Sequence, residues 1–339
     1  MAPAVLIEKL QKCYGAVEAV KEVSFRIEPG EIFGLLGPNG AGKTTTLRCL
    51  CTLTEPDAGI VEVSGISVIE NPRVARQHLG YIAQEVALDK VLTGRELLQL
   101  QAALYHLPRQ VIRDRIDAVL NLLGLQAYAD QKTGTYSGGL KKRLDLAAGL
   151  LHQPDVLVLD EPTVGLDIES RMAVWDFLRK LREQGTTVLL TSHYLEEVDA
   201  LADRVAIIDQ GIVIAAGKPS ELKDKVGGDR ITLRIREFAP LEEAEKAKIL
   251  LQQIDSVQDV IINSAQGNSL NLVVAPQSDA LITVQKVLQD AGLPTFGIAQ
   301  SRPSLDDVYL AATGRTLLDA EIAAAGSRDE KAERKKNMR

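Results

Sequence analysis

Nine consecutive residues set the architecture of this chain: Gly37-Pro38-Asn39-Gly40-Ala41-Gly42-Lys43-Thr44-Thr45. Their spacing, G-x-x-x-x-G-K-T, is that of a phosphate-binding loop. The three glycines permit positive φ and let backbone N–H groups approach an anion, and the helix that follows adds the positive end of its dipole. We expect Lys43 to reach the β- and γ-phosphates and the Thr44 hydroxyl to ligate Mg²⁺.

The flanks of this loop support the same prediction. An apolar run over residues 31–36 has the length of a strand, and Leu47, Leu50 and Leu53 follow the loop at helical spacing. A glycine-rich turn that only resembles the motif would not require a strand before it and a helix after it. The sequence therefore predicts that the chain binds a nucleoside triphosphate.

Composition limits the class of protein. The chain has 339 residues, 45% hydrophobic and 25% charged, so we expect one large domain with a smaller one, or two of middling size. No apolar stretch approaches the roughly 18–20 residues of a membrane span, and the amino terminus lacks a signal-peptide pattern, so we expect a cytosolic protein. The net charge of −7 gives no support for a nucleic-acid partner. Cys13, Cys49 and Cys51 form no C-x-x-C pair and predict reduced thiols without a metal site.

Two predicted strands end in polar residues. The apolar run Val156–Leu159 indicates a central parallel strand buried on both faces, and Asp160 and Glu161 follow it directly. The strand predicted over residues 186–191 leads to Ser192-His193. Ligands bind at the carboxyl edge of open α/β sheets, which is where such polar ends emerge. Two adjacent carboxylates are also compatible with the N-cap of the next element.

A helical segment lies between the phosphate loop and these strand ends. From about residue 93 to residue 125, apolar residues recur at helical spacing with breaks at Pro108 and Gly124, so we expect a helical subdomain over about residues 86–150. A helical hairpin packed on itself would explain its leucines. Gln84 ends a short strand just before this segment, and Ser137-Gly138-Gly139 opens another helix within it.

The order of these motifs resembles that of the ATP-binding subunits of ABC transporters over about residues 4–220. The resemblance rests on the phosphate loop, Gln84, Ser137-Gly138-Gly139, Asp160-Glu161, Asp167 and His193. It implies an α/β fold in which a P-loop ABC ATPase domain, with a mixed sheet and a helical subdomain, occupies residues 1–225.

The resemblance also implies a role for each residue. Asp160, with Thr44 and Gln84, would hold Mg²⁺, and Glu161 would polarise the attacking water. His193 would contact the γ-phosphate and the glutamate, and Gln84 would also meet the membrane partner. Tyr14 would stack on adenine, although a tyrosine near a turn is more often a packing residue.

The signature Ser137-Gly138-Gly139 acts in trans in this family, binding the γ-phosphate of a second subunit at a helix start. The resemblance also places Asp167 among the residues that bind the nucleotide. The fifth signature position, commonly glutamine, is Leu140, which removes a side-chain contact but leaves the backbone contacts. One set of motifs per chain implies a dimer, expected to be a homodimer, around two ATP molecules.

The carboxyl-terminal third has a different pattern. Residues 229–314 read β-α-β-β-α-β, which predicts a small α+β, ferredoxin-like accessory or dimer-supporting domain. Its closing segment over residues 303–314, together with Tyr136–Gly139 and Thr191–Glu197, resembles the daunorubicin/doxorubicin-resistance group of exporters. Residues 315–339 predict an alanine-rich helix and a charged, flexible tail.

We therefore expect an ATPase subunit that drives an integral-membrane export permease from the cytoplasmic face of the membrane. Three alternatives stay open. A soluble ABC ATPase acting on ribosomes or DNA would generally carry two cassettes or a long coiled coil. A P-loop kinase would not need Ser137 or His193, and an ATP-regulated interaction module would not need Glu161.

Overall fold

The computed structural model describes residues 2–237, 239–275, 279–293 and 295–324. The chain divides into two compact units, Met1–Ala216 and Gly217–Arg339. Within the described residues, no helix combines the length and the apolar character needed to span a membrane. The charged part of the tail predicted over residues 315–339, from residue 327 onward, lies outside the described residues.

A ten-stranded mixed sheet with helices on it forms the first unit. The strands run in the order β5-β4-β1-β2-β10-β9-β3-β8-β7-β6. They are β1 (Val5–Tyr14), β2 (Val17–Ile27), β3 (Ile32–Leu36), β4 (Ala58–Val63), β5 (Ile66–Ser67), β6 (Leu79–Ile82), β7 (Val156–Asp160), β8 (Thr187–Ser192), β9 (Arg204–Asp209) and β10 (Ile212–Gly217). The helices are α1 (Lys43–Leu50), α2 (Pro72–Ala75), α3 (Gly94–Leu104), α4 (Arg109–Leu122), α5 (Gly138–Leu150), α6 (Ile168–Glu183) and α7 (Leu195–Leu201).

The parallel centre of the sheet brings three strand ends to one edge. Strands β3, β7 and β8 are buried along their whole length, as their continuous apolar runs predict. β8 pairs in parallel with both neighbours, with Leu36 opposite Ser192 and Asp160 opposite Thr191. The phosphate loop, the two carboxylates and His193 therefore follow adjacent strands at the same edge.

The antiparallel strands β1, β2 and β4 complete the sheet on the other side. Buried apolar side chains of β1, β2, β3 and α1 share one core cluster. The helical subdomain contains α3 and α4, separated at Pro108 as predicted, followed by α5. A capping box between Thr93 and Glu96 begins α3, and Ser137 caps α5.

A four-stranded antiparallel sheet forms the second unit, in the order β12-β13-β11-β14. Its elements are α8 (Pro219–Val226), β11 (Asp229–Arg234), α9 (Leu241–Leu251), β12 (Val257–Asn263), β13 (Ser269–Val274), α10 (Ala280–Asp290), β14 (Gly297–Ser301) and α11 (Leu305–Thr313), with a further helix over residues 317–324. The order β-α-β-β-α-β and the antiparallel pairing are those of a ferredoxin-like fold, so the predicted fold class is confirmed.

Two boundaries in this unit differ from the prediction. The sequence predicts a helix over residues 241–254, but α9 ends at Leu251, because the chain turns back there and Val257 donates its N–H to the carbonyl of Ile254 at 2.8 Å. The last strand, which the sequence predicts over residues 295–299, is shifted toward the carboxyl terminus, because its pairing with β11 begins at Gly297 opposite Arg234.

Candidate active site

The phosphate loop connects β3 to α1 and lies against neighbouring backbone. Gly42 has φ 109°, and a Cβ there would lie 2.6 Å from the carbonyl oxygen of Ala19 on β2. A Cβ at Gly37 would overlap the carbonyl oxygen of Ile208 on β9. Only glycine fits these two positions, so the loop lies closer to the sheet than a residue with a side chain would allow.

Lys43 begins α1 and is folded back over this loop. Its ammonium group donates to the carbonyls of Gly37 at 2.6 Å and Pro38 at 3.2 Å, and it lies 3.8 Å from Oε1 of Glu161. The side chain is buried, whereas Asn39, Gly40 and Thr44 are exposed. The Lys43 ammonium is thus held by backbone carbonyls of the loop, and the exposed Thr44 hydroxyl follows it in the chain.

Asp160 ends β7 with its carboxylate buried next to the loop. The Thr44 hydroxyl donates to Oδ1 of Asp160 at 3.4 Å, and the Thr191 hydroxyl donates to the same oxygen at 2.6 Å. Thr191 also accepts the N–H of Glu161 at 3.0 Å. Thr191 therefore fixes both acidic residues from the adjacent strand. Thr191 is not among the site residues predicted from the sequence, although a polar residue ending an apolar strand beside β7 is the signal that would have found it.

Glu161 lies at the centre of the cluster. Gln84 donates from Nε2 to Oε2 of Glu161 at 2.9 Å, and Nδ1 of His193 lies 3.3 Å from Oε1. Burial raises the pKa of Glu161, but the hydrogen bond from His193 and the charge of Lys43 outweigh burial and leave the pKa below its ordinary value. The carboxylate is therefore ionised at neutral pH.

Glu161 also has a left-handed backbone conformation, with φ 48°. Such a conformation is uncommon for a residue other than glycine and occurs often at functional sites. It turns the chain away from β7 directly after Asp160. Because of this turn, the two neighbouring carboxylates serve different partners: Asp160 bonds to Thr44 and Thr191, and Glu161 to Gln84 and His193.

The oxygen atoms of Thr44 and Asp160 suit a small hard cation. Mg²⁺ is held in proteins by one or two carboxylates together with substrate phosphates and water. The described residues contain no group of three or more His, Cys, Asp or Glu side chains arranged for a metal. A complete protein cage is not needed for this ion, so a hydroxyl and one carboxylate beside a phosphate loop fit it.

The residues Ser137, Gly138 and Asp167 lie apart from this cluster. Ser137 caps α5 by accepting the N–H of Leu140 at 3.3 Å, and Ser137 and Gly138 are exposed. Asp167 caps α6 by accepting from the N–H and the hydroxyl of Ser170, and these bonds lower the pKa of Asp167. Across the described residues, no hydrogen bond or ion pair connects any of the three to the phosphate loop or to Glu161.

Gly139 lies where the start of α5 approaches the start of α6. A Cβ at Gly139 would lie 2.5 Å from the hydroxyl oxygen of Ser170. The start of α5 and the start of α6 are therefore close neighbours, and they present their exposed N-terminal turns together.

Tyr14 lies at the tip of the β1–β2 hairpin, paired with Val17. Its ring is 47% exposed, and the Lys12 ammonium lies 5.7 Å from the ring centroid. The same hairpin passes the phosphate loop at Ala19, where Gly42 approaches it. An exposed ring on this hairpin is available for stacking, and within the described part of the chain none of Lys43, Gln84, Glu161 and His193 contacts it.

Known proteins resemble this chain in both sequence and fold. The sequence profile of the ABC transporter family matches residues 20–164. The daunorubicin resistance ATP-binding protein DrrA3 of Streptomyces coeruleorubidus is 43% identical over 311 residues, which cover 92% of this chain and 96% of that protein. The Nod factor export ATP-binding protein I of Ralstonia nicotianae is 36% identical over 318 residues, covering 94% of this chain and 96% of that protein. A solved dimeric ATP-binding cassette in a post-hydrolysis state, bound to ADP and Pi, matches with a TM-score of 0.58 at 26% identity, covering 63% of this chain and 98% of that one.

Proposed function

The chain belongs to the ABC transporter family as an ATP-hydrolysing, ATP-binding subunit, and we propose that two copies close around two MgATP to drive a separate membrane permease. The observation that carries the hydrolytic part is the ionised Glu161 carboxylate, which three side chains contact beside the phosphate loop. Lys43 and His193 approach one of its oxygens and Gln84 the other. This arrangement orients a base next to the position that a γ-phosphate would take.

The mechanism follows from these contacts. The backbone N–H groups of residues 39–45 receive the phosphates, and Lys43 moves from the carbonyls of Gly37 and Pro38 onto the phosphate oxygens. Thr44 and Asp160, with Gln84 through its amide, would hold Mg²⁺, which supplies charge neutralisation across the β- and γ-phosphates.

Glu161 accepts a hydrogen bond from the attacking water, whose oxygen forms a bond to the γ-phosphorus as the bond to the β–γ bridging oxygen breaks. His193 holds the glutamate on one side and donates toward the γ-phosphate on the other. Tyr14 stacks on the adenine ring, which its exposure at the hairpin tip permits.

The exposed N-terminal turns of α5 and α6 support the homodimer. Ser137 and Gly138 carry free helix N–H groups that suit an anion, yet within the described residues they have no contact with the chain's own phosphate loop. Ile168 is 79% exposed beside Asp167, and Met172 is 44% exposed one turn later. An anion site and apolar side chains on one surface fit the second subunit and its bound ATP.

The names of the two relatives support an export role. One is a daunorubicin resistance ATP-binding protein and the other a Nod factor export ATP-binding protein. We place the permease contact on the helical subdomain of residues 86–150, where Val91, Leu100 and Leu104 are more than half exposed. The ABC domain of residues 1–225 would then act from the cytoplasmic face of the membrane, with residues 229–314 as an accessory domain.

ATP-dependent dimerisation tests this proposal. Glu161→Gln keeps the shape of the site but removes the carboxylate, so it should bind MgATP and accumulate as a dimer in light scattering. Adding Gly138→Asp should keep the chain monomeric, because its carboxylate would face the partner's γ-phosphate. A Cβ at Gly138 meets no atom within 4 Å, and an acidic residue at a helix start stabilises the helix, so this variant should fold.

Gly138→Asn is the matched control, since it has the same size without the charge. We expect it to retain part of the ATP-dependent dimerisation. Equal dimer formation by the Asp variant and its parent would contradict the role of this helix start in trans.

A further inference from the structure

One side of α6 lies along the segment that follows His193. The Arg171 guanidinium lies over the Tyr194 ring at 4.9 Å, Trp175 donates from Nε1 to Glu197 at 3.1 Å, and Arg179 donates from Nη2 to the carbonyl of Ala200 at 3.3 Å. The three α6 residues are spaced i, i+4 and i+8, which places them on one helix face. The two segments are therefore held in register over more than two turns of α6.

The backbone that carries His193 is fixed in this interface. Ser192 donates to the buried Glu197 carboxylate at 2.7 Å and accepts the N–H of Tyr194 at 2.9 Å. The Tyr194 ring then lies against the His193 ring, with 4.1 Å between centroids. A movement of Tyr194 is consequently transmitted to the imidazole that contacts Glu161.

Arg171 reaches this stack from the first turn of α6, directly after Asp167. Its Nε is buried and makes no hydrogen bond within the described residues, so the Tyr194 ring is the principal partner that the structure gives to this part of the guanidinium. A buried donor without a hydrogen bond is costly, so the contact with the Tyr194 ring is what the structure offers to offset that cost. An arginine over an aromatic face at this distance is an attractive cation–π pair.

We propose that Arg171 and Tyr194 are positioning residues that hold His193 against Glu161 and connect it to the Asp167 loop, the segment of residues 162–167 before α6. The chain of contacts runs from the exposed start of α6 through Arg171 and Tyr194 to His193. A second subunit that docks on the Asp167 loop would thereby align the imidazole for hydrolysis. This inference rests on the proposed role of His193 in the hydrolytic site.

The test compares kcat with ATP affinity in matched variants. Arg171→Ala and Tyr194→Ala should each lower kcat about 5- to 30-fold, the effect of losing one partly buried cation–π contact. The dissociation constant for ATP should change less than about twofold, because neither residue contacts the phosphate loop. Tyr194→Phe keeps the ring and Arg171→Lys keeps the charge, so both should recover much of the lost kcat.

Arg179→Ala is the control. It removes a contact from the same α6 face two turns further along, at Ala200, and should leave kcat near that of the parent. Trp175 is the sole tryptophan of the chain and lies in this interface, so unchanged fluorescence in Arg171→Ala would show that α6 still packs normally. In the double variant Arg171→Ala/Tyr194→Ala, the loss should equal that of the larger single variant.

Three outcomes would overturn the inference: unchanged kcat in Arg171→Ala, an equal loss in Arg179→Ala, or fully additive effects in the double variant. His193→Ala separates this inference from the proposed function. If His193→Ala hydrolyses ATP at the parental rate, the proposed function is wrong. If His193→Ala is inactive and Arg171→Ala is normal, only the positioning role fails.

Discussion

Replacing Gly42 with alanine should destabilise the first unit more than the same change at Gly40. Both glycines have positive φ, 109° and 87°, so alanine is strained at either position by about 1–3 kcal/mol. The surroundings differ, because a Cβ at Gly42 would lie 2.6 Å from the carbonyl oxygen of Ala19, whereas a Cβ at Gly40 meets nothing within 4 Å. Relieving that backbone overlap costs about 1–3 kcal/mol more, as for other overpacked positions.

Strain and overlap should therefore lower the free energy of unfolding by about 2–6 kcal/mol in Gly42→Ala and by about 1–3 kcal/mol in Gly40→Ala. Because alanine also makes the unfolded chain stiffer, each of these losses should be smaller by about 0.4–1 kcal/mol. Urea unfolding without nucleotide measures this difference, and the fluorescence of the sole tryptophan, Trp175, reports on the first unit. Equal losses in the two variants, or a larger loss in Gly40→Ala, would refute the reasoning that packing against β2 demands glycine at position 42.

Three further changes test other parts of the structure. Burial raises the pKa of Asp145 to about 6 from 3.8, so the folded state favours the protonated carboxyl. The free energy of unfolding of the parent, relative to that of Asp145→Asn, should be constant below pH 4, fall by about 3 kcal/mol between pH 4 and 7, and then level off. Urea titrations over this pH range measure the difference. Thr191→Val removes the hydroxyl that donates to Asp160 and accepts from Glu161, and should cost about 1–3 kcal/mol in the same assay and lower kcat. Ser304→Ala removes the capping box of α11 and should cost about 1 kcal/mol, measured by thermal unfolding.

The elements that depend on local physics could be predicted from sequence. Continuous apolar runs are enough to identify β3 and β7 as buried strands, and the glycine spacing is enough to place the phosphate loop between β3 and α1. The β-α-β-β-α-β order of the second unit follows in the same way from alternating periodicities and turn residues. These signals lie within a few residues of each element and need no knowledge of distant neighbours.

The contacts that organise the site could not be predicted in this way. Thr191 bonds to both Asp160 and Glu161 because β7 and β8 pair with Asp160 opposite Thr191, which is a register set by the whole sheet. Arg171 meets Tyr194 because α6 and the segment after His193 pack together. Ser137 and Asp167 are exposed and serve as helix caps within the chain, so the role in trans that we propose for them requires a second subunit.

The hydrolysis rate of Glu161→Gln, measured together with its ATP affinity, tests the central claim most directly. The variant should retain the affinity of the parent for MgATP, because the phosphate loop, Thr44 and Asp160 are unchanged. Its kcat should fall at least about 100-fold, since it lacks the carboxylate that we propose as the group polarising the attacking water. Parental turnover in Glu161→Gln would show that another group acts as the base and would contradict the account of this site.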